Sequence, residues 1–335
     1  MDNPLLTSNT LPPFSRIRPE HVIPAIDTIL AENRAILANL LQQDDNYTWE
    51  NLIAPLEEME DRLSRCWSPV RHLHGVADSD ELRKAYNACL AKLSDYSTDI
   101  MQNHDLYQAY RHIADSEQYQ KLNQAQQKII ENSLRDFHLS GVDLEEESKA
   151  AFKKIEQELS SLQTKFGENV LDATHAWSKL VTDKNDLVGL PESALDLAAD
   201  NASRREMRGW LLTLDLPSYY PVMQYAENRP LREEMYTAYV TRASSQGPGT
   251  HEWDNSQLME NILAMKLEKA KILGLESYAH YSLTRKMASS PQEVLGFLED
   301  LAKHSYGTAR TEFLELEEFA RTDHGIDRLN AWDIA

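Results

Sequence analysis

The sequence predicts a mainly α, multi-helix protein with one minor β element near residues 210–216. Three observations carry that expectation. Turn-makers are scarce, with 11 glycines and 13 prolines in 335 residues, while Ala, Leu, Glu, Gln and Lys are plentiful, and these lose little on entering a helix. Apolar residues recur at three- and four-residue intervals in stretch after stretch. One segment alone alternates clearly at period two.

Residues 1–19 hold four prolines (Pro4, Pro12, Pro13, Pro19) and read as an extended arm. Leu52, Leu56, Met59 and Leu63 then form one stripe of an amphipathic helix. Ser68-Pro69 predicts a boundary or kink, because a residue before proline is pushed away from the helical region. Phe152, Ile155, Leu159, Leu162 and Phe166 mark one buried face over four turns, with Gly167 offering a C-terminal stop. That stripe is shorter than a dimerising coiled coil needs, so it reads as intramolecular packing.

In Trp210-Leu211-Leu212-Thr213-Leu214-Asp215-Leu216 the residues Trp210, Leu212, Leu214 and Leu216 share one face of a strand, before Pro217 ends the pattern. A lone strand leaves backbone groups unpaired, so a partner strand is required. Ser290-Pro291-Gln292-Glu293 combines an N-cap serine, a proline at the first helical position and an acid at the third. A long helical pattern follows (Val294, Leu298, Leu301, Phe313, Leu316, Phe319, Ala320) and gives way at Gly325. The final Leu329–Ala335 carries no stop signal and reads as cut within an element.

Bulk chemistry narrows the function classes. Hydrophobic residues at 41% and charged residues at 26% suit a soluble globular protein. A net charge of −20 disfavours a nucleic-acid groove or an anionic membrane surface. No apolar run approaches the roughly 18 residues of a membrane span, and the first residues lack the regions of a secretion signal. Cys66 and Cys89 are too few for a disulfide framework, so a reducing compartment, the cytoplasm, is expected.

A hydrolytic zinc site usually needs two histidines close together on one helical face. Among the eleven histidines no two are three, four or five apart. His72 and His74 would leave a helix on different sides. His251-Glu252 begins like the H-E-x-x-H helix, but Asn255 stands where the second histidine belongs, and Gly247-Pro248-Gly249 before it makes a loop. Asp254-Asn255-Ser256-Gln257 resembles a capping box that starts a helix carrying Leu258, Ile262, Met265 and Leu273 and ending before Gly274. His251 and Glu252 therefore precede that helix. No G-x-S-x-G elbow or phosphate loop occurs, and neither cysteine has a histidine close in sequence. The acidic run Asp143-Leu144-Glu145-Glu146-Glu147 reads as a solvated face or helix start. Spacing alone supports no catalytic residue and no metal ligand, and no substrate-contacting residue can be named.

Longer blocks carry a resemblance. The segment Leu171-Asp172-Ala173-Thr174 through Trp177–Asp183, residues 209–244 (GWLLTLDLPSYYPVMQYAENRPLREEMYTAYVTRAS) and residues 253–288 are similar to the thimet-oligopeptidase family of zinc metallopeptidases. The opening LPPFSRIRPEHVIPAI (11–26) and the closing AWDIA (331–335) agree with it. The resemblance implies a neurolysin-like, mostly helical, two-lobed body with a channel that admits short peptides. It implies zinc polarising the scissile carbonyl and its bound water, with the motif glutamate taking the proton. Members are about twice this length, so the resemblance places the zinc ligands and catalytic residues after residue 335. Residues 1–155 would be the helical N-terminal domain, and 156–335 a linker and the first part of the catalytic module.

The intact protein would be a metallo-endopeptidase acting on short peptides, and this chain alone inactive. The alternative is a non-enzymatic helical scaffold or partner-binding protein lacking a catalytic half. If the strand and last helices normally pack on a missing half, apolar surface such as the Trp210 face is expected to be exposed. Self-association, or a mobile C-terminal portion, would follow.

Overall fold

Apolar stripes form helices here wherever a second stripe lies near enough to cover them. In the computed structural model, which describes residues 3–7, 11–42, 46–248 and 251–335, the chain divides into two compact units. The first comprises Met1–Ser161 with Met265–Tyr281, and the second Leu162–Ala264 with Ser282–Ala335.

The first unit is built on α1 (Pro19–Leu40), α2 (Ala54–Val76), α3 (Asp80–Met101), α4 (His104–Asp115), α5 (Gln124–Leu139) and the start of α6 (Glu146–Ala176). One core gathers Val22, Ile26 and Ile29 of α1, Cys66 and Val70 of α2, and Leu82 and Cys89 of α3. A second joins Leu52, Ile53, Leu106, Ile113, Ile130 and Phe137. The predicted stripe is buried but shared between the cores: Leu52, in the π-helical turn Trp49–Ile53 before α2, and Met59 join the second core with Leu56 packed against it, and Leu63 joins the first. Of the expected arm, Met1, Asp2, Ser8, Asn9 and Thr10 lie outside the described residues. The remainder is anchored to the fold at points along its length, although Leu11, Pro12 and Phe14 are exposed. Asn3 Nδ2 donates to the His21 carbonyl at 2.8 Å, Phe14–Arg16 forms a 3-10 turn, and Leu5 and Ile17 enter the core.

Two predicted boundaries are overridden by packing. Helix α2 runs through Pro69 without ending. A mid-helix proline costs about 3 kcal/mol, but Cys66, Pro69 and Val70 are all buried, and burial of such side chains gives roughly 1.5–3 kcal/mol each for the larger ones. Helix α6 likewise continues past Gly167 to Ala176. The roughly 1 kcal/mol penalty of a helical glycine does not end it: beyond Gly167, Ala173 is buried and Asn169 donates to Asn255 Oδ1 at 2.9 Å. Phe152, Ile155 and Leu159 are buried as the stripe requires. The acidic run begins this helix and is largely exposed.

The second unit contains β1 (Ser178–Val181), α7 (Glu192–Arg204), β2 (Trp210–Thr213), α8 (Leu216–Tyr225) and α9 (Arg229–Thr241). Helix α10 (Ser256–Ile272) follows, then α11 (Tyr278–Leu283) and α12 (Pro291–His324). The strands pair antiparallel, with Ser178 opposite Thr213 and Val181 opposite Trp210. The strand partner therefore lies within the chain. A Cβ at Gly209 would sit 2.4 Å from the Val181 carbonyl oxygen, and its φ is +125°, so only glycine admits this close entry into the pair.

The strand is shorter than predicted and its alternation fails. It stops at Thr213, Leu216 opens α8, and Pro217 sits in that helix's first turn. Leu211 and Thr213 are buried as well as Leu212 and Leu214, whereas Leu216 is exposed. Both faces are covered because the sheet has only two strands and α7 and α8 pack on β2. The core of this unit collects Val181, Leu187, Leu212, Tyr219, Val222 and Met235, with Trp210 half-buried against it. Of the predicted Trp210 face, Leu212 and Leu214 are covered, Trp210 is half-buried and Leu216 is exposed, so the expected exposure is confined to its ends.

Candidate functional site

The histidine pairs of the sequence do not become a site. His72 packs against the Phe14 ring (centroids 5.5 Å) and His74 stacks on Tyr86 (4.1 Å), so the two leave α2 in different directions. His251-Glu252 lies in a 3-10 turn, His251–Trp253, ahead of α10. Gly249 and Thr250 fall outside the described residues. Asn255, at the position a second metal histidine would take, is buried and occupied structurally. Its Nδ2 donates to the Phe166 carbonyl at 3.1 Å, and its Oδ1 accepts from Asn169 Nδ2 at 2.9 Å. Asp254 Oδ1 accepts from the Ser256 amide at 2.9 Å, the start signal expected there. Gln257 does not close the box; it reaches forward to Asn261.

Cys66 and Cys89 are free and buried in the first core. Burial, with each other's proximity adding for Cys66, pushes their thiols up to about 12 and about 11. Such thiols are poor nucleophiles, because the thiolate is the reactive form. Among the described residues no group of three or more His, Cys, Asp or Glu side chains is placed to hold a metal ion. The described residues do not fit a zinc site, and no catalytic step is routed through one here.

The densest polar arrangement is one the sequence did not flag. Asp333, its side chain 1% exposed, accepts from Arg229 Nε at 3.0 Å, Arg229 Nη2 at 2.8 Å, Arg232 Nη2 at 2.8 Å and the Asn330 amide at 3.0 Å. The two arginines also bind backbone: Arg229 to the Arg328 carbonyl, and Arg232 to the carbonyls of Trp332 and Ala226. Burial works to raise the carboxyl, but the Arg229 and Arg232 guanidiniums and the Asn330 amide overcome it and hold Asp333 at about 2. Charged on both sides and fully bonded, this cluster is a clamp that fastens the segment after α12 onto α9. Arg229 and Arg232 lie one helical turn apart, and that i,i+3 spacing was its one legible signal.

A second buried charge lies in the first unit. Lys269 Nζ sits 2.6 Å from Glu156 Oε1, over the rings of Phe152 (5.2 Å) and Tyr281 (4.4 Å). Burial opposes the ammonium, but Glu156 and Tyr281 keep it charged, above the usual lysine range. All its neighbours are used in packing α6, α10 and α11, so it offers no proton to a ligand. A cleft of about 590 Å³ in the same unit is lined by Leu5, Pro12, Phe14, Asp61, Arg65 and His72, among others. Its charges are already paired, with Arg65 Nε 2.7 Å from Asp61 Oδ2.

Helix α12 differs from every element above. Its ends are well made: Ser290 Oγ accepts the Glu293 amide at 3.1 Å, and Gly325, at φ +62°, caps the C-terminus. Among the described residues of this helix only Ala320 is buried.

Comparison with known proteins adds the missing frame. Residues 26–149 match the family model for the neurolysin/thimet oligopeptidase N-terminal domain, and residues 222–335 match that for peptidase family M3. The chain is 51% identical to oligopeptidase A of Salmonella typhimurium over 335 residues, covering 100% of this chain and 49% of that protein. It is 48% identical to oligopeptidase A of Haemophilus influenzae, with 100% and 49% covered. It is 39% identical to a probable cytosolic oligopeptidase A of Arabidopsis thaliana, with 99% and 48% covered. The chain thus spans about half the length of the curated relatives it matches.

Proposed function

We infer function from family: the chain belongs to the thimet-oligopeptidase family as an oligopeptidase A-like member, and we propose that it is the N-terminal portion of a zinc-dependent oligopeptidase. The observation that supports this most is identity of 51% over all 335 residues to a protein of about twice this length. The substrates are short peptides, held in a channel that limits their length. Residues 1–155 act as the helical N-terminal domain, and 156–335 as the linker and opening of the catalytic module. Zinc and its ligands come from polypeptide outside these residues. The role of this chain is wall and core, held in register by the Asp333 clamp and the Asn255–Asn169 pair. Its place is the cytoplasm, as the name of the Arabidopsis relative suggests for that protein; among the described residues no helix is long and apolar enough to cross a membrane.

By this reading the chain alone cleaves no peptide and holds no stoichiometric zinc. Metal analysis and a quenched-fluorescence peptide assay test it together. One zinc per chain surviving mild chelation, or turnover by the chain alone, would overturn it. A coding sequence that runs on past Ala335 into an H-E-x-x-H helix supports the peptidase reading. A stop codon at that point would favour the non-enzymatic scaffold.

A further inference from the structure

We propose that the apolar face of α12 is a docking surface for the polypeptide that supplies the other half of the peptidase, and not for a second copy of this chain. The inference rests on the family reading above and goes beyond it by naming the surface.

The helix has 34 residues. Along it Leu295, Leu298, Leu301, Leu314 and Phe319 are each at least half exposed, and Phe297 and Tyr306 are about two-thirds exposed. At 100° per residue, Leu295, Leu298, Leu301, Tyr306, Phe313 and Phe319 fall within an arc of about 140°. Asp300, Lys303, Arg310, Glu318 and Arg321 fall on the opposite side, while Glu312 and Asp323 interrupt the arc towards the C-terminus. Over Leu295–Tyr306 this is the pattern of a helix with one face meant for burial, and there that face is bare.

Size decides that the face is not ordinary surface. Aromatic side chains carry roughly 150–250 Å² each, so the three aromatics on the arc, Tyr306, Phe313 and Phe319, present on the order of 300 Å² at their observed exposure. A monomer's largest apolar patch is typically about 300–600 Å². Adding the half-exposed Leu295, Leu298 and Leu301 of the same arc takes α12 to the top of that range.

Two observations choose the occupant. The matched relatives contain as much polypeptide again as they share with this chain, and α12 lies in the segment matched to peptidase family M3. Charge argues against self-pairing: α12 holds eight acidic residues against three lysines and arginines, within a chain of net charge −20. Two copies laid helix to helix would bring like charges together at both rims of the contact.

The test is face-specific labelling. The chain is co-produced with a tagged copy of the part of Salmonella typhimurium oligopeptidase A that it does not match. Ser305→Cys places a thiol within the apolar arc, and Lys303→Cys places one opposite. In the isolated chain both label rapidly with a maleimide. In the complex, labelling of Ser305→Cys slows on the order of 100-fold, while Lys303→Cys changes less than about threefold. A Leu298→Glu/Leu301→Glu variant keeps its helical circular dichroism, because both positions are exposed, yet binds the other half about 100-fold more weakly. Failure to form a complex, unchanged labelling of Ser305→Cys within one, or wild-type binding by the double variant would overturn the proposal. So would a homodimer that shields Ser305→Cys and persists with the other half in excess. A complex that shields Ser305→Cys but cleaves no peptide with zinc present would sink the peptidase reading and leave the interface standing.

Discussion

Helices α1 and α12 read alike as sequence: each has a capped or proline-led start and apolar residues at three- and four-residue spacing. In the fold they part company. The face of α1 is sealed by α2 and α3, with Val22, Ala25, Ile26 and Ile29 at 1% exposure or less. Among the described residues of α12 only Ala320 is buried. Periodicity reports that a helix has a side meant to be covered; it carries no information on what covers it, or whether the cover lies in the same chain. That difference makes α1 a store of stability and α12 a surface.

Substitutions can break or sharpen the contrast, and the largest effect belongs to the sealed helix. Ile26→Ala removes a fully buried side chain and should cost about 3–4 kcal/mol in urea unfolding of the first unit. A cost below about 1 kcal/mol would mean that α1 is no better packed than α12. Next comes the clamp at the C-terminal side of α12. Asp333→Asn leaves two arginines facing a neutral amide and should cost about 2–3 kcal/mol in the second unit. The acid has a pH signature as well. Its folded value, about 2, lies below its ordinary 3.8. Its contribution, roughly 2 kcal/mol, is therefore complete above pH 3.8 and lost as pH falls through 2. The stability gap between wild type and Asp333→Asn should close over that window, and a gap independent of pH would remove the clamp's ionic character.

Smaller effects probe α12 itself. Ser290→Ala deletes the bond to the Glu293 amide and should cost about 1 kcal/mol, read as faster amide exchange in the helix's first turn. Leu298→Gln, in the middle of the bare face, should change the stability of the isolated chain by no more than about 0.5 kcal/mol. A loss of 2 kcal/mol there would show that the residue is packed in solution, and would erase the distinction between the two helices.

The sequence was most readable where local chemistry decides the outcome. The start at Ser290, the stop at Gly325 and the stripes of α2 and α6 all depend on residues within one or two turns. It was least readable where distant groups decide. Pro69 and Gly167 look like breaks, yet burial on either side of each carries the helix through. Leu211 and Thr213 belong to the outward face by alternation, yet α7 and α8 cover both sides of the strand. The partner strand at Ser178–Val181 is four residues long, too short for periodicity to distinguish. The clamp joins residues about a hundred positions apart, so only the Arg229/Arg232 spacing hinted at it. The signals that bear on His251-Glu252, Asn255 and the helix start at Ser256, are local and therefore legible.

The two cysteines of the first core have a practical consequence. Because burial suppresses their thiolates and seals them among α1, α2 and α3, they should be silent towards thiol reagents until that part of the fold opens. Cys66 and Cys89 then act as an internal clock. The rate at which they react measures how often the α1–α3 core breathes, independently of anything happening at α12.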